Sequence, residues 1–330
     1  MTEGRNRDSS KNRSPIVSVI IPAYRAAHYI EEALDSVFAQ TFRDCEVIVV
    51  NDGSPDTLDL ETVLLKYENQ ILYIKQDNRG PGGARNTGMR HARGQYLAFL
   101  DSDDVWLPDF LTNLIHFLEQ HPSVDMACAD CVYFGDPNWN GRSWQSLHPL
   151  EDPVTFEKLL PTQGGAFASF VLLRRDTALK VGFFEENLRI LEDYHYWLRL
   201  LYCGGKLAYV RNILGRRRIH PESLTYNPDV VLSNVVQALQ KLDAHLSSSS
   251  AEAALVEREL AFVQSRSALK DGRRRLEERD YKGAGECFNK ANRAVPSRKT
   301  RFALLGLRWF PQWTRWAISL WDQRSTVKFG

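Results

Sequence analysis

Short apolar runs alternate with amphipathic segments over the first hundred residues. The runs VSVII at 17–21, EVIVV at 46–50, ILYIK at 71–75 and QYLAFL at 95–100 predict buried strands. Between the first two runs, residues 28–40 place apolar side chains along one face at helical spacing. This alternation of strand and helix predicts an α/β fold in which helices flank a mostly parallel central sheet.

Local signals predict two further helices. Ser54 and Pro55 are typical cap and first helical residues, and the helix that they begin extends to about Glu68. Residues 80–83, which are rich in glycine, predict a turn that leads into a short helix ending near Gly94. Ligands of parallel sheets bind beyond the carboxyl ends of the strands, so the residues that follow each strand are the first candidates for function.

The segment after the first strand excludes two common nucleotide sites. A dinucleotide-binding unit needs GxGxxG there, and a P-loop needs GxxxxGK[ST]. The chain instead has IPAYRAAHYIEEA, which contains no glycine. Hydride transfer and ATP hydrolysis through these motifs are therefore not expected.

An acidic cluster follows the fourth strand. In an extended segment Asp101 and Asp103 point to one side, and Ser102 and Asp104 to the other. Two converging carboxylates repel each other unless they share a cation, and oxygen ligands of this kind suit Mg²⁺ or Mn²⁺ beside substrate phosphates. The alternative is an acidic turn that caps a helix. The position at a strand end favours a metal–diphosphate site.

A second acidic pair stands further along the chain. Residues 131–152 are rich in loop-forming residues, and residues 167–175 form an apolar stretch. From Tyr194 onward the apolar spacing is helical, so Glu192 and Asp193 stand at a helix start, where the helix dipole favours carboxylates. The pattern alone favours an ordinary pair of acids in a first helical turn.

Five segments in order resemble the family 2 glycosyltransferases, which are inverting enzymes of the GT-A fold. They are VSVIIPAYRAAHYIEEALDSVFAQTF, EVIVVNDGSPD, NRGPGGARNTGMRHARGQYLAFLDSDD, GFFEENL and LEDYHYWLRL. The resemblance extends over about 17–225, near two thirds of the chain. It implies a GT-A, Rossmann-like catalytic domain.

The resemblance implies a role for each matching residue. Asp103 matches the ligand of a Mn²⁺ or Mg²⁺ ion that bridges the diphosphate, and His220 resembles a histidine that some members place near that metal. Asp193 matches the catalytic base, and Glu192 lies beside it near the acceptor. The residues that match the binding site of the nucleotide sugar are Pro22, Ala23, Tyr24, Asp52, Arg85, Asp101 and Ser102.

The implied reaction moves a sugar, hexosyl or N-acetylhexosaminyl, from a nucleotide sugar to a glycan or a lipid-linked acceptor. A UDP-sugar is the expected donor. One alternative is a carbohydrate- or nucleotide-sugar-binding protein that has lost catalysis, but Asp103 and Asp193 are both present. The other is a nucleotidyltransferase, which usually has a glycine-rich basic loop after its first strand.

Composition narrows the class of protein further. Lys plus Arg is 42 and Asp plus Glu is 41, so the net charge of +1 argues against a nucleic-acid binder. Five cysteines are few and odd in number, which predicts a reducing compartment rather than a disulfide framework. Cys128 and Cys131 form a lone CxxC in an apolar run, and small buried residues are the favoured interpretation over a metal or redox site.

The C-terminal third has a helical pattern. We expect a disordered tail over 1–15, the catalytic domain over 16–228 and a helical extension over 229–330. Residues 280–296 resemble one tetratricopeptide unit, but an array needs at least three, so a helical hairpin packed on the catalytic domain is expected.

The last fifty residues differ from the rest in charge. They contain ten Lys or Arg, two Asp or Glu and four of the eight Trp. Residues 312–322 form an amphipathic, Trp-rich stripe. The stripe suits either a membrane interface, reached through 301–330, or a core-packing or oligomer helix. No run is long and apolar enough to span a membrane. We expect a cytoplasmic protein, peripheral on the inner face of the membrane in the first case.

Overall fold

The computed structural model describes residues 14–147, 149, 152–162 and 166–314. Its contacts divide the chain into two compact units. The first unit comprises the described residues of Met1–Thr155 and Gly164–Pro221, and the second comprises those of Phe156–Gln163 and Glu222–Gly330. The domain boundary predicted at 228 stays a prediction.

The first unit contains strands and helices, and the described part of the second contains helices alone. The strands are β1 Val17–Ala23, β2 Cys45–Asp52, β3 Ile71–Gln76, β4 Tyr96–Phe99, β5 Val105–Trp106, β6 Met126–Phe134, β7 Val171–Arg174 and β8 Leu207–Arg218. The helices of the first unit are α1 Ile30–Phe38, α2 Thr57–Leu64, α3 Gly80–His91, α4 Phe110–Gln120, α5 Trp144–Leu147, α7 Arg175–Val181 and α8 Glu192–Tyr202. Those of the second are α6 Phe156–Leu159, α9 Pro228–Asp243, α10 Ala251–Glu277, α11 Tyr281–Ala294 and α12 Arg298–Trp309.

One mixed sheet organises the first unit. Its order is β3-β2-β1-β4-β7-β6-β8-β5. The four strands from β3 to β4 are parallel, β7 is antiparallel to both of its neighbours, and β6 pairs in parallel with β8. With its flanking helices and the helical second unit, this architecture confirms the predicted fold class.

The central strands are apolar because both of their faces are covered. Val19, Ile20 and Ile21 of β1 have no exposed surface, and α1 contributes Ile30 and Leu34 to the buried apolar side chains. On α3, a Cβ at Gly88 would lie 2.3 Å from Ile20 Cγ2, so only glycine lets this helix approach β1 so closely.

Three details differ from the sequence expectation. Residues 80–83 form the first turn of α3 rather than a separate turn before it. The segment expected to be loop-rich from 131 continues β6 as far as Phe134. β8 was not predicted, because Arg211 and Asn212 interrupt its apolar pattern and three arginines end it.

The described part of the second unit contains four longer helices and the short helix α6. Helices α10 and α11 form a hairpin in which Phe288 packs so close to Gly272 that a Cβ there would lie 2.6 Å from its ring. Ser250 and Asp280 cap the two helices by accepting backbone N–H groups. Across the residues that the structure describes, no helix has the length and apolar character needed to cross a membrane. The amphipathic stripe predicted over 312–322 lies outside the described residues from 315 onward.

Candidate active site

The carboxyl ends of β1, β2 and β4 lie side by side at one edge of the sheet. β1 pairs in parallel with β2 on one side and with β4 on the other. The chain proceeds outward from β1 to β3 and then returns to β4, so the strand order reverses between β1 and β4. Ligands bind at such a reversal in open parallel sheets. Tyr24, Asp52 and Asp101 end or follow these three strands, which makes this edge the candidate site.

The turn after β2 is held by the buried side chain of Asn51. Its Nδ2 donates to Tyr73 Oη at 2.8 Å, and its Oδ1 accepts the backbone N–H of Ser54 at 2.9 Å. Gly53 adopts a φ of +64°, and a Cβ there would lie 2.8 Å from a backbone nitrogen. The NDGS sequence therefore folds into one defined turn that places Asp52 at the end of β2.

Asp52 keeps one carboxylate oxygen available. Its Oδ1 accepts hydrogen bonds from Gln76 Nε2 at 2.7 Å and from the backbone N–H of Arg79 at 2.8 Å. Within the described chain its Oδ2 accepts none. The side chain is thus fixed through one oxygen, while the other can accept a hydrogen bond from an N–H donor of a ligand.

The loop after β1 lies against the turn after β2. Pro22 and Ala23, expected in the loop, are the half-buried and buried last residues of β1, and Tyr24, which begins the loop, has 47% of its surface exposed. The backbone N–H of Arg25 donates to Ser54 Oγ at 2.6 Å, and Arg25 adopts a φ of 52°, which is rare outside glycine. Such strained backbone persists only where its surroundings hold it, and it is common at ligand sites.

The acidic cluster after β4 is a turn, and not an extended segment. The backbone N–H of Asp104 donates to Asp101 O at 3.1 Å, which closes the turn. Ser102 and Asp103 lie half-buried within it. The expected alternation of Asp101 and Asp103 against Ser102 and Asp104 is therefore wrong, because strand geometry ends before the cluster begins.

Each carboxylate of this turn has its own partner. Asp101 forms an ion pair with Arg85, and Asp103 Oδ2 lies 2.9 Å from Nε2 of His220. Asp104 is buried, and burial together with the Asp103 and Asp101 charges raises its pKa well above the ordinary value. Asp103 and His220, predicted from separate parts of the chain, are thus brought together.

Asp103 Oδ2 lies 2.9 Å from His220 Nε2, and this carboxylate and imidazole are the groups that would hold Mg²⁺ or Mn²⁺. The His220 ring is held by Tyr29, whose centroid is 4.8 Å away. Among the described residues no three His, Cys, Asp or Glu side chains converge as a metal group. Substrate phosphates and water would have to complete the set, as is usual for Mg²⁺.

Arg85 joins the two acidic pairs. Its Nη2 contacts Asp101 Oδ1 and its Nη1 contacts Glu192 Oε1, although Arg85 and Glu192 are 107 positions apart. The side chain is 3% exposed and lies 5.8 Å from the ring of Phe184. Burial lowers the pKa of Arg85, but the carboxylates of Asp101 and Glu192 more than compensate and raise it. The guanidinium therefore remains charged between them.

Glu192 begins α8 in a buried position. Burial raises its pKa to about 7, against the opposing effect of the Arg85 guanidinium. The preceding residue, Leu191, has a φ of 66°, in the left-handed region that disfavours side chains with a Cβ. Glu192 and Asp193 stand in the first turn of α8, as the pattern predicts, and Glu192 is buried there.

Asp193 is held by the backbone through both of its carboxylate oxygens. Oδ1 accepts the N–H of Tyr194 at 2.7 Å, and Oδ2 accepts the N–H of Ala168 at 3.2 Å. Burial raises the pKa of Asp193, although Arg85 and these hydrogen bonds lower it. A fixed carboxylate with a raised pKa is suited to accept a proton near neutral pH.

Sequence reasoning missed the arginines that end β8. Arg218 donates from Nε to Asp103 O at 3.0 Å and forms an ion pair with Glu32. The guanidinium of Arg217 lies 4.0 Å from the ring centroid of Phe167, and Asp104 is among the groups that raise its pKa against the effect of burial. These cations stand beside the acidic turn. The available signal was the run of three arginines, Arg216 to Arg218, just before His220.

Cys128 and Cys131 lie buried in β6. Burial raises the pKa of both thiols, and both are free of disulfide bonds. The thiolate is the form that attacks or binds a metal, so these thiols are poorly reactive at neutral pH.

Known proteins are similar to this chain over half of its sequence or more. A family model described as glycosyl transferase family 2 matches residues 18–182, half of the sequence. An uncharacterized glycosyltransferase of Rickettsia prowazekii (strain Madrid E) is 33% identical over 219 residues. That match covers 64% of this chain and 66% of the relative, so the chain spans just under two thirds of the relative's length.

Two solved structures share the fold. S. aureus TarS 1-349 in complex with UDP-GlcNAc has a TM-score of 0.62 at 21% identity, covering 91% of this chain and 89% of that one. The mannosyltransferase PcManGT from Pyrobaculum calidifontis, in complex with GDP-Man and Mn²⁺, has a TM-score of 0.59 at 19% identity. Its match covers 94% of this chain and 88% of that one.

Proposed function

This chain belongs to glycosyl transferase family 2, and we propose that it is a metal-dependent inverting enzyme that transfers a sugar from a UDP-sugar to a glycan or a lipid-linked acceptor. The sugar belongs to the hexosyl or N-acetylhexosaminyl class. The observation that supports the proposal most is the pair of acidic motifs that Arg85 joins at the carboxyl edge of the sheet.

The donor base lies at the turn after β2. Asp52 Oδ2 accepts the imide N–H of uracil, because its other oxygen is already bonded within the protein. The exposed ring of Tyr24, at the end of the neighbouring loop, offers the base a surface to pack against. The ribose lies near Asp101 and Ser102. A bound UDP-GlcNAc in the related TarS structure is the reason for preferring uridine.

Asp103 and His220 would hold Mn²⁺ or Mg²⁺, and the ion would stabilise the negative charge that develops on the departing diphosphate. The related mannosyltransferase contains Mn²⁺. The arginines at the end of β8 add positive charge beside the same turn, since Arg218 donates to the backbone of Asp103.

Asp193 is the general base, and Glu192 helps to orient the acceptor. The acceptor hydroxyl oxygen attacks the anomeric carbon as its proton passes to a carboxylate oxygen of Asp193. The bond from the anomeric carbon to the diphosphate oxygen breaks, and its electron pair leaves with the nucleoside diphosphate. Attack opposite the leaving group inverts the anomeric centre in one step, so no covalent nucleophile is needed.

A donor screen tests this function. The purified protein is incubated with UDP-, dTDP- and GDP-sugars and either Mn²⁺ or Mg²⁺, and release of the nucleoside diphosphate is measured. We expect turnover of at least one UDP-sugar, and loss of that turnover in Asp193→Asn. Binding of the nucleotide sugars without turnover of any of them, with or without glycan acceptors, would instead favour the inactive binding protein.

A further inference from the structure

Helix α12 is apolar on two opposite faces. The first face carries Thr300, Ala303, Leu304 and Leu307, at the spacing of one helical stripe. Thr300 and Ala303 are buried, and Leu304 and Leu307 pack against the apolar cluster around Phe288. Through this face α12 packs against the apolar cluster of the second unit.

The second face is exposed. Phe302, Leu305 and Trp309 follow the same helical spacing, and their exposed fractions are 70%, 57% and 66%. Phe310, directly after the helix, is 65% exposed. Single exposed apolar residues need no explanation, but a continuous stripe of large side chains marks an interaction surface. We name Phe302, Leu305 and Trp309 the outer face of α12.

The charged side chains of α12 are all of one sign. Arg298, Lys299, Arg301 and Arg308 are all exposed, and no Asp or Glu occurs between 298 and 314. The guanidinium of Arg308 lies 5.6 Å from the Trp309 ring centroid, so cation and indole occupy the same side of the helix end. A folded protein partner would need a matching acidic and apolar surface. An anionic lipid surface is both negatively charged and apolar below its headgroups, and binding to it needs no complementary shape.

We propose that the outer face of α12 binds peripherally to an anionic membrane surface. Its apolar side chains enter the boundary between headgroups and acyl chains, where Trp is favoured. Its arginines and lysine remain at the level of the lipid phosphates, where each cation adds attraction. This proposal does not depend on the proposed function, because it uses no residue of the candidate active site.

The test is co-sedimentation of the full chain with vesicles at 0.1 M salt. One set contains phosphatidylglycerol mixed with phosphatidylcholine, and the other contains phosphatidylcholine alone. The wild type should pellet with the anionic vesicles and stay in the supernatant with the neutral ones. The variant Phe302→Ser/Leu305→Ser/Trp309→Ser should bind the anionic vesicles roughly tenfold more weakly or worse, because it lacks the apolar insertion.

Two further variants serve as controls. Phe262→Ser alters an exposed aromatic residue on α10 and should pellet like the wild type. Arg301→Gln/Arg308→Gln keeps the apolar stripe and should weaken anionic binding by up to about 30-fold at the same salt concentration. This charge variant keeps the test decisive if the triple variant fails to fold, which circular dichroism would show.

Three results would overturn the proposal. The first is equal recovery of the wild type in the supernatant with and without anionic vesicles. The second is a folded triple variant that pellets like the wild type, which would assign binding to another part of the chain. In the third, the wild type does not pellet with vesicles but is a dimer by light scattering, and the triple variant is a monomer. That result would assign the outer face to a second copy of the chain.

Discussion

The two acidic pairs of the first unit share one arginine, yet their surroundings differ. The side chains of Asp101 and Asp103 are 39% and 28% exposed, and each faces a basic partner. The Glu192 side chain is 7% exposed, and Asp193 is bonded to the backbone through both oxygens. Burial raises the pKa of both members of this second pair.

The difference separates two tasks that carboxylates perform. Half-buried carboxylates beside basic partners suit a metal–diphosphate site. A buried carboxylate with a raised pKa suits the acceptance of a proton. Arg85 lies between the pairs, and its positive charge offsets the negative charges of Asp101 and Glu192.

Removing the predicted metal ligand should have the largest effect. Asp103→Ala should lower turnover by about 10³-fold or more, since the metal contributes several kcal/mol to stabilising the leaving charge. EDTA should reversibly produce a similar loss in the wild type. The control is Asp109→Ala, an exposed carboxylate outside the site. Full turnover in EDTA would exclude the metal-dependent account.

Removing the predicted base should leave the metal site intact. Asp193→Asn keeps the shape of the side chain but cannot accept the proton, so kcat should fall by roughly 10²–10⁴-fold. The measurement is steady-state kinetics with the donor found in the screen. A variant with near wild-type kcat would show that Asp193 is not the base.

Removing the shared cation should affect both pairs. Arg85→Gln leaves Glu192 buried without its ion-pair partner, which should destabilise the first unit by about 3–5 kcal/mol. Arg85→Lys should recover only part of this, because an ammonium cannot contact both carboxylates as a guanidinium does. Urea unfolding measures both variants. Stability equal to the wild type in Arg85→Gln would mean that the arginine does not hold the pairs together.

The raised pKa of Glu192 predicts a pH dependence of stability. Between about pH 4.5 and 7 the folded state binds the Glu192 proton more tightly than the unfolded state does. The contribution of Glu192 to the free energy of unfolding therefore falls as pH rises through this window, by up to about 3 kcal/mol. Glu192→Gln should remove this slope in urea unfolding at pH 5 and pH 7.5. An unchanged slope in Glu192→Gln would mean that a group other than Glu192 causes it.

An exposed ion pair provides the smallest effect. Lys66 bonds to Glu31 and Asp35 at 3.0 Å, but all three side chains are more than half exposed. Lys66→Ala should change the free energy of unfolding by less than about 1 kcal/mol and leave turnover unchanged. A larger loss of stability would mean that exposed ion pairs contribute as much to the free energy of unfolding as buried ones do in this unit.

The sequence predicts those parts of the fold and site that depend on local pattern. The apolar runs of β1 to β4 are local, and so are the acids that follow strand ends. The contact of Arg85 with Glu192 joins residues 107 positions apart, and no spacing rule reports it. The extended segment expected after β4 is a turn, because the hydrogen bond from the Asp104 N–H to Asp101 O closes it. The arginines of β8 were missed because a charged strand end lacks an apolar pattern.

Calorimetric titration with UDP and Mn²⁺ tests most directly whether the two pairs perform different tasks. The wild type, Asp103→Ala and Asp193→Asn are compared at one pH. The account predicts that Asp193→Asn binds UDP with an affinity close to that of the wild type, whereas Asp103→Ala binds at least tenfold more weakly. Equal losses in the two variants, or loss in Asp193→Asn alone, would contradict it.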